Sequence, residues 1–536
     1  MSQYFMGIDV GTGSARAGVF DLSGTLLGTE KQDIALFREA GAIVEQSSNE
    51  IWRAVCTASR GAIAASGVDP SEIAGVGFDA TCSLVVLDED GAPLPVGPSE
   101  DPERNIIVWM DHRALPQAER INAMGHRVLD YVGGRISPEM ETPKLLWLKE
   151  NRASVFDKAW QFFDLTDYLT WRASGSLARS VCTVTCKWTY MAHEAAWDAS
   201  YFRQIGLDGL ADEGFARIGT EVVDAGTALG DGLLAEAAAD LGLAPGTKVA
   251  AGLIDAHAGG IGTVGAKGGG LPQDNLAYVF GTSSCTMTTT SEPVFVPGVW
   301  GPYYSAMVPG AWLNEGGQSA AGAAIEQLLR FHPAVGEAQE LARAAGKSLP
   351  GWLVDRAVEL SGPDGDPARL ANGMHVVPEF IGNRAPHADP HTRAVIAGLG
   401  METDTDNLVA LYIAGLCGLG YGLRQIIETQ AEKGAPIKTV VISGGAGRSD
   451  LVRQILADAT RVSLASPTTE EPVLLGSAIL GAVAAGAFAD MPSAMAEMSS
   501  NEAVYAPSAA AADYHDGRFD LFEKFQALAR EAAIRG

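Results

Sequence analysis

The chain has 536 residues, 47% of them hydrophobic and 19% charged, with 63 glycines. That composition belongs to a folded globular protein too long for one core, and excludes a disordered chain. A formal net charge of −27 argues against nucleic-acid binding as the main role, because phosphate backbones need clustered Lys and Arg, but a few backbone amides can still hold a small anion.

The six cysteines are scattered. Cys182 and Cys186 stand four apart, on one helical face, but no His or Cys partner pair completes a zinc motif, so free thiols in a reducing compartment are expected. Residues Met1–Phe5 show no basic segment leading into an apolar one, and no uncharged apolar run of about 18 residues appears. A cytoplasmic setting with no membrane partner is expected, and the sequence is compatible with a homodimer.

In chain order, residues 4–10 read as a strand ending at Asp9, followed by the turn Gly11-Thr12-Gly13-Ser14 and a second strand from Ala15 to Asp21. This is a hairpin, not a dinucleotide-binding turn, since the third glycine of that fingerprint would fall on Arg16. Small residues at its tip let backbone amides approach a phosphate, and Asp9 can hold a hydrated magnesium ion. A helix over 48–66 leads to a strand over 73–79 and then to the segment 81–88. The stretch Val108-Trp109-Met110-Asp111-His112-Arg113 then gathers an acid, an imidazole and a guanidinium, a set suited to a polyol. Residues 143–148 read as an amphipathic helix, and Lys187 interrupts an apolar run.

The strand 248–251 runs into Gly252-Leu253-Ile254-Asp255-Ala256-His257-Ala258-Gly259-Gly260. Gly268-Gly269-Gly270 is the best candidate hinge. Beyond it, residues 276–288 repeat the opening pattern of strand, small-polar turn (Gly281-Thr282-Ser283-Ser284) and strand. Two related hairpins suggest two domains facing each other across a cleft. An acid between two phosphate-binding turns suggests ATP-dependent transfer to a hydroxyl. Glu315 lies in what reads as a glycine-rich turn, residues 314–319, ahead of a helix. Residues 439–450 read as a buried strand feeding the turn Gly444-Gly445-Ala446 and a helix, where glycines allow a flat ring to stack on the backbone. Gly346-Lys347-Ser348 is no P-loop, because Leu341 stands where its first glycine would be. A charged amphipathic helix closes the chain over 514–536.

The motifs Asp9 to Ser14, Trp109 to Arg113, Gly252 to Gly260, Gly281 to Ser284, Glu315 to Ser319 and Gly444 to Ala446 occur in an order that resembles the FGGY carbohydrate kinases, across residues 4–490. The resemblance implies an α/β fold of two ribonuclease-H-like (actin-like ATPase, sugar kinase) domains with an interdomain cleft. The N-terminal domain would span 1–270 and the C-terminal domain 271–536. Thr81-Cys82-Ser83-Leu84-Val85 resembles the signature of the D-ribulose kinase branch, although Glu141 stands where the family's first signature has a small residue or proline, and the second signature is only partial around 398–411.

The resemblance implies ATP and magnesium as cofactors and a small sugar as partner. Asp255 would take the hydroxyl proton. Asp9 would orient magnesium through water, while Thr12, Gly13 and Ser14 and, opposite them, Gly281, Thr282 and Ser283 would hold phosphates. Gly444, Gly445, Ala446 and Ser449 would hold the adenosine, and Thr81, Cys82, Asp111, His112, Lys187 and Glu315 would meet the sugar. D-ribulose is the expected acceptor. L-ribulose, D-xylulose, ribitol and glycerol are alternatives, as is a non-enzymatic actin-like ATPase or sensor.

Overall fold

The computed structural model describes residues 3–363, 365–371 and 373–535. The first sheet is built on β1 (Tyr4–Val10), β2 (Ser14–Phe20) and β3 (Leu26–Asp33), an antiparallel meander, continued by β4 (Ile73–Ala80), β5 (Lys248–Val249) and β6 (Leu253–Ile254). Its order is β5-β4-β1-β2-β3, with β4 parallel to β1 and β6 also paired with β4. β1 and β4 are almost wholly buried, as strands covered on both faces must be, and their sequences are accordingly close to continuously apolar.

Helix α1 (Ser48–Ser66) lies where the sequence places it. Ser47 accepts a hydrogen bond from the Glu50 amide at 3.2 Å, and Gly67 ends the helix in the left-handed conformation, φ 68°, the start and stop chemistry expected of caps. A five-stranded antiparallel sheet of short strands (Phe37–Arg38, Val44–Gln46, Leu84–Leu87, Ile106–Ile107, Gln161–Asp164) sits beside the first sheet. Residues 81–83 lie outside any strand, with the Ser83 amide donating to Thr81 O at 2.8 Å. Helix α2 (Val181–Trp188) is buried throughout, and α3 (Asp255–Ile261) follows β6 directly.

The second sheet comprises β7 (Asn275–Phe280), β8 (Ser284–Thr290), β9 (Trp300–Tyr304), β10 (Trp312–Gln318), β11 (Thr439–Ser443), β12 (Ser463–Pro467) and β13 (Asn501–Tyr505), in the order β9-β10-β8-β7-β11-β12-β13. Its core β10-β8-β7-β11-β12 repeats the connectivity of β3-β2-β1-β4-β5: an antiparallel meander with parallel strands added on the other side. One topology built twice is what the paired hairpins predict. The glycine-rich segment around Glu315 is not a turn, however. It is strand β10, paired along its whole length with β8.

The helices of the second half include α4 (Gly322–Arg330), α5 (Thr405–Glu432), α6 (Asp450–Thr460), α7 (Pro472–Ala484) and α8 (Ala512–Arg535). α5 is long and apolar enough to cross a membrane, but 78% of its apolar window is buried against its neighbours, which makes it a core helix. The candidate hinge at 268–270 is tied down: Asn275 Nδ2 donates to Val264 O (2.7 Å) and Gly269 O (2.9 Å), and the Lys267 amide to Ser499 O (3.1 Å).

The two halves interlock through helices. α7, from the second half, lies on β1 and β4 of the first sheet and crosses α3, while α3 reaches β7 and β8 of the second. This close approach requires glycine. A Cβ on Gly77 would stand 2.0 Å from Ser477 O, and one on Gly476 would stand 1.9 Å from Ala258 O.

Candidate active site

Three carboxylates meet where β1, β4 and β6 end. Asp9 and Asp79 are register partners on adjacent strands, and Leu253 opposite Asp79 brings the start of α3, hence Asp255, alongside. Arg16, opposite Asp9 on β2, donates to Asp9 Oδ2 through Nε at 2.9 Å and through Nη2, and to Glu471 at 2.7 Å. Ser477 of α7 donates to Asp79 Oδ2 at 2.5 Å. Burial, reinforced by Asp9, holds the Asp79 carboxyl well above its ordinary range. The same two causes lift Asp255 to about 6, against the bond from the Ala256 amide (2.7 Å) that pulls it down. A partly exposed carboxylate tuned near neutrality has the properties of a general base.

This oxygen-only donor set suits a hard divalent cation such as magnesium. Both Arg16 bonds go to one oxygen of Asp9, and Asp79 Oδ1 is buried with no hydrogen-bond partner. Asp9, whose second carboxylate oxygen is not engaged by Arg16, could hold such an ion.

The two hairpin tips differ in how they are fixed. At the first, the Gly11 amide donates to Ser14 O (3.0 Å), Trp109 Nε1 to Thr12 Oγ1 (3.0 Å) and Gln46 Nε2 to Thr12 O (2.9 Å), while Gly13 is exposed with nothing within 4 Å of a Cβ position. At the second, Thr282 O accepts from the Ala321 and Ala323 amides, and Gly281 O from that of Gly322 at 3.0 Å, so the tip rests on the start of α4. Gly281 and Thr282 are exposed.

Beside that second tip opens a cavity of about 760 Å³, lined by Phe280, Gly322, Tyr412, Gly445, Arg448 and Ser449 among others. Gly444 turns the chain into it at φ 97°, where a Cβ would meet Phe280 O at 2.4 Å. Ala446 continues the same turn, and Ser449 caps α6. Lys347 and Ser348, from the segment that is no P-loop, are also among the residues lining this cavity. Its size is that of a nucleotide-scale ligand site.

On the other side of Asp255 lies a buried polar cluster. Lys187 Nζ, from α2, is 4.0 Å from Glu315 Oε2 on β10 and 4.8 Å from the centre of the Trp300 ring, and the Arg384 guanidinium lies over the same ring at 5.8 Å. Burial is the largest single influence on Lys187 and opposes its charge, but Glu315 together with Cys82, Tyr303 and Cys186 outweighs it and holds the ammonium well above its usual range. Burial likewise opposes ionisation of Glu315, yet Lys187 and then His257 bring it down to about 2. The pair is an ion pair contributed by the two halves of the chain. Cys82 is buried, which pushes its thiol up, and Thr81 Oγ1 lies 3.1 Å from Ser83 Oγ.

Asp111 corrects the sequence-based expectation. It is fully buried, and its carboxylate accepts from the Val44 amide (2.6 Å), the Arg113 amide (2.8 Å), and Arg113 Nε (2.9 Å) and Nη2 (2.7 Å). With its oxygens so engaged, Asp111 braces the turn rather than meeting a sugar. His112, next to it, is half exposed and 3.4 Å from Glu139; that hydrogen bond raises the imidazole, against burial. The unusual Glu141 is also explained: it is buried and pairs with Lys144 at 3.1 Å.

Sequence reasoning did not single out Asp79, Arg16, Glu471, Glu139, Trp300 or Arg384. Asp79 had a legible signal, an acid ending an apolar strand just as Asp9 does. The others come from elements whose apposition no local pattern encodes.

Two family models cover this chain, the N-terminal domain of the FGGY family of carbohydrate kinases over residues 4–262 and its C-terminal domain over 276–485. The chain belongs to the FGGY family of carbohydrate kinases. The kinase is 45% identical to the human FGGY carbohydrate kinase domain-containing protein, over 97% of this chain and 96% of that protein. It is 38% identical to a D-ribulokinase of Saccharomyces cerevisiae over 91% of this chain and 72% of that protein. Its fold matches the crystal structure of a xylulose kinase from Rhodospirillum rubrum with a TM-score of 0.81, covering 99% and 100% of the two chains at 20% identity. The activity is thus ATP-dependent phosphorylation of a sugar, and the non-enzymatic alternative falls away.

Proposed function

We propose that this kinase transfers the ATP γ-phosphoryl group to the terminal hydroxyl of a ketopentose, converting D-ribulose to D-ribulose 5-phosphate. The observation that carries this reading is that Asp255 lies within electrostatic reach of both Asp9 of the acid cluster and Lys187 of the Lys187–Glu315 pair. The choice of D-ribulose is supported by the segment Thr81 to Val85 and by the similarity to the yeast D-ribulokinase. Asp255 accepts the hydroxyl proton. Lys187, Glu315 and His112 hold the sugar hydroxyls, with Thr81 and Cys82 shaping the wall. Thr12, Gly13 and Ser14 present backbone amides to phosphate from the first half, and Gly281, Thr282 and Ser283 from the second, while Gly444, Gly445, Ala446 and Ser449 border the adenosine cavity. Magnesium, held at Asp9, would neutralise phosphate charge. Most of the acceleration comes from positioning and electrostatics, since phosphoryl transfer asks little covalent chemistry of the protein.

An acceptor panel tests the substrate. ADP release with D-ribulose, L-ribulose, D-xylulose, ribitol and glycerol is expected to show kcat/KM highest for D-ribulose; a higher value for any other member reassigns the acceptor.

Two further outcomes follow from the geometry. Lys187→Met removes one member of a buried pair and is expected to raise the acceptor KM by about 100-fold, equivalent to about 2.7 kcal/mol, with nucleotide affinity measured by calorimetry changed less than about twofold. Asp255 must be unprotonated to act, and its raised value near 6 means that it loses its charge as pH falls through that value. The profile of kcat/KM, which reports the free enzyme, is therefore expected to be flat above about pH 7 and to fall tenfold per unit below about pH 6. A limb centred near 4 instead would remove the burial argument.

A further inference from the structure

The sequence offers Cys182 and Cys186 on one helical face and no histidine motif beside them. Folding supplies the histidine. α3 carries His257 against α2, with Nδ1 3.0 Å from Cys182 Sγ, and the two sulfurs and one ring nitrogen all lie within 4.8 Å of one another. Cys182, Cys186 and His257 are each 0% exposed. Tetrahedral zinc needs an S–S separation of about 3.8 Å and S–N separations of about 3.5 Å, from bond lengths of roughly 2.3 and 2.0 Å, within reach of small side-chain rotations here.

The other face of the imidazole adds an independent observation. His257 Nε2 lies 3.4 Å from Glu315 Oε2, and neither atom has any other hydrogen-bond partner among the described residues. A histidine that binds metal through one nitrogen usually directs the other N–H to a carboxylate, which fixes its tautomer and raises its basicity. The order sulfur, Nδ1, ring, Nε2, carboxylate is that arrangement without its ion. Two sulfurs and an imidazole select a soft or borderline d¹⁰ cation over magnesium or calcium.

We propose that Cys182, Cys186 and His257 form a binding site for a thiophilic d¹⁰ cation of the zinc class, distinct from the carboxylate cluster at Asp9, with Glu315 as the carboxylate partner of the histidine and the fourth coordination position taken by a buried water or a small anion. Binding releases the thiol protons to solvent, and both thiolates and the neutral Nδ1 become ligands. Because Glu315 also faces Lys187, the ion would restrain the carboxylate that joins the two halves of the chain.

Cobalt(II) is the probe. The full-length kinase is titrated with it under a phosphine reductant, with millimolar magnesium present to fill oxygen-donor sites. One equivalent is expected to produce a near-ultraviolet thiolate-to-cobalt charge-transfer band, and zinc is expected to displace it. Cys182→Ser and Cys186→Ser are each expected to lose the band while Cys285→Ser keeps it, and Glu315→Gln is expected to weaken zinc about 10–100-fold. Each variant is accepted only if it shows the wild-type unfolding transition. Absence of the band in the wild-type protein overturns the proposal without recourse to any variant, as does a band that survives in folded Cys182→Ser. Unchanged zinc affinity in Glu315→Gln removes the role given to that carboxylate.

Discussion

Asp255→Asn is expected to lower kcat by about 10²–10⁴-fold, the usual contribution of a positioned general base, with ATP affinity nearly unchanged. The substitution is isosteric and retains an oxygen that can accept from the Ala256 amide, so the start of α3 has no reason to move. It also removes a negative charge from a cluster in which Asp9 and Asp79 already repel it, so the folded protein should be no less stable. Single-turnover phosphate transfer together with calorimetric ATP binding separates these effects. Turnover near the wild-type rate would remove Asp255 from the chemistry. Loss of ATP binding would place it in the nucleotide site instead.

Gly476→Ala is expected to be the most damaging single-methyl change in the interlocked helices. Its Cβ would lie 1.9 Å from Ala258 O and 2.6 Å from the attached carbonyl carbon, far inside van der Waals contact, and the obstructing atoms are backbone. α7 would have to withdraw from α3. Overpacking of this kind costs about 1–3 kcal/mol, occasionally more. Since α3 begins at Asp255 and α7 carries Ser477, the bond to Asp79, away with it, kcat should fall as well as the midpoint of thermal unfolding. Gly13→Ala is the contrasting case, with open space around the new methyl; its unfolding midpoint should match wild type within about a degree, the usual range for a surface substitution. Equal midpoints for Gly476→Ala and Gly13→Ala would refute the interlocking account.

Much of the fold was legible locally. Capping residues delimited α1, apolar runs marked β1, β4 and β11, and small-polar turns marked both hairpins, because each depends on residues close in sequence. Reading Glu315 as part of a turn failed because glycines usually punctuate loops, whereas here Gly316 and Gly317 sit inside a paired strand. Asp111 was misassigned because sequence shows an acid beside a histidine and an arginine but not which of them uses up the other's hydrogen bonds.

The amino-acid sequence by itself determined that this is a two-part α/β kinase, and it picked out Asp255, two small-polar hairpins and Lys187 as candidates. Those features are local: a strand end, a tight turn, one cation in an apolar run. Only the tertiary structure decided what surrounds them. It paired Lys187 with Glu315 across 128 positions, placed Asp79 beside Asp9, brought Lys347 to the cavity lined by Phe280 and Gly445 and set His257 against Cys182. Each apposition depends on how two sheets and the crossing helices α3 and α7 pack. That packing is set by burial summed over many residues, so no short segment encodes it.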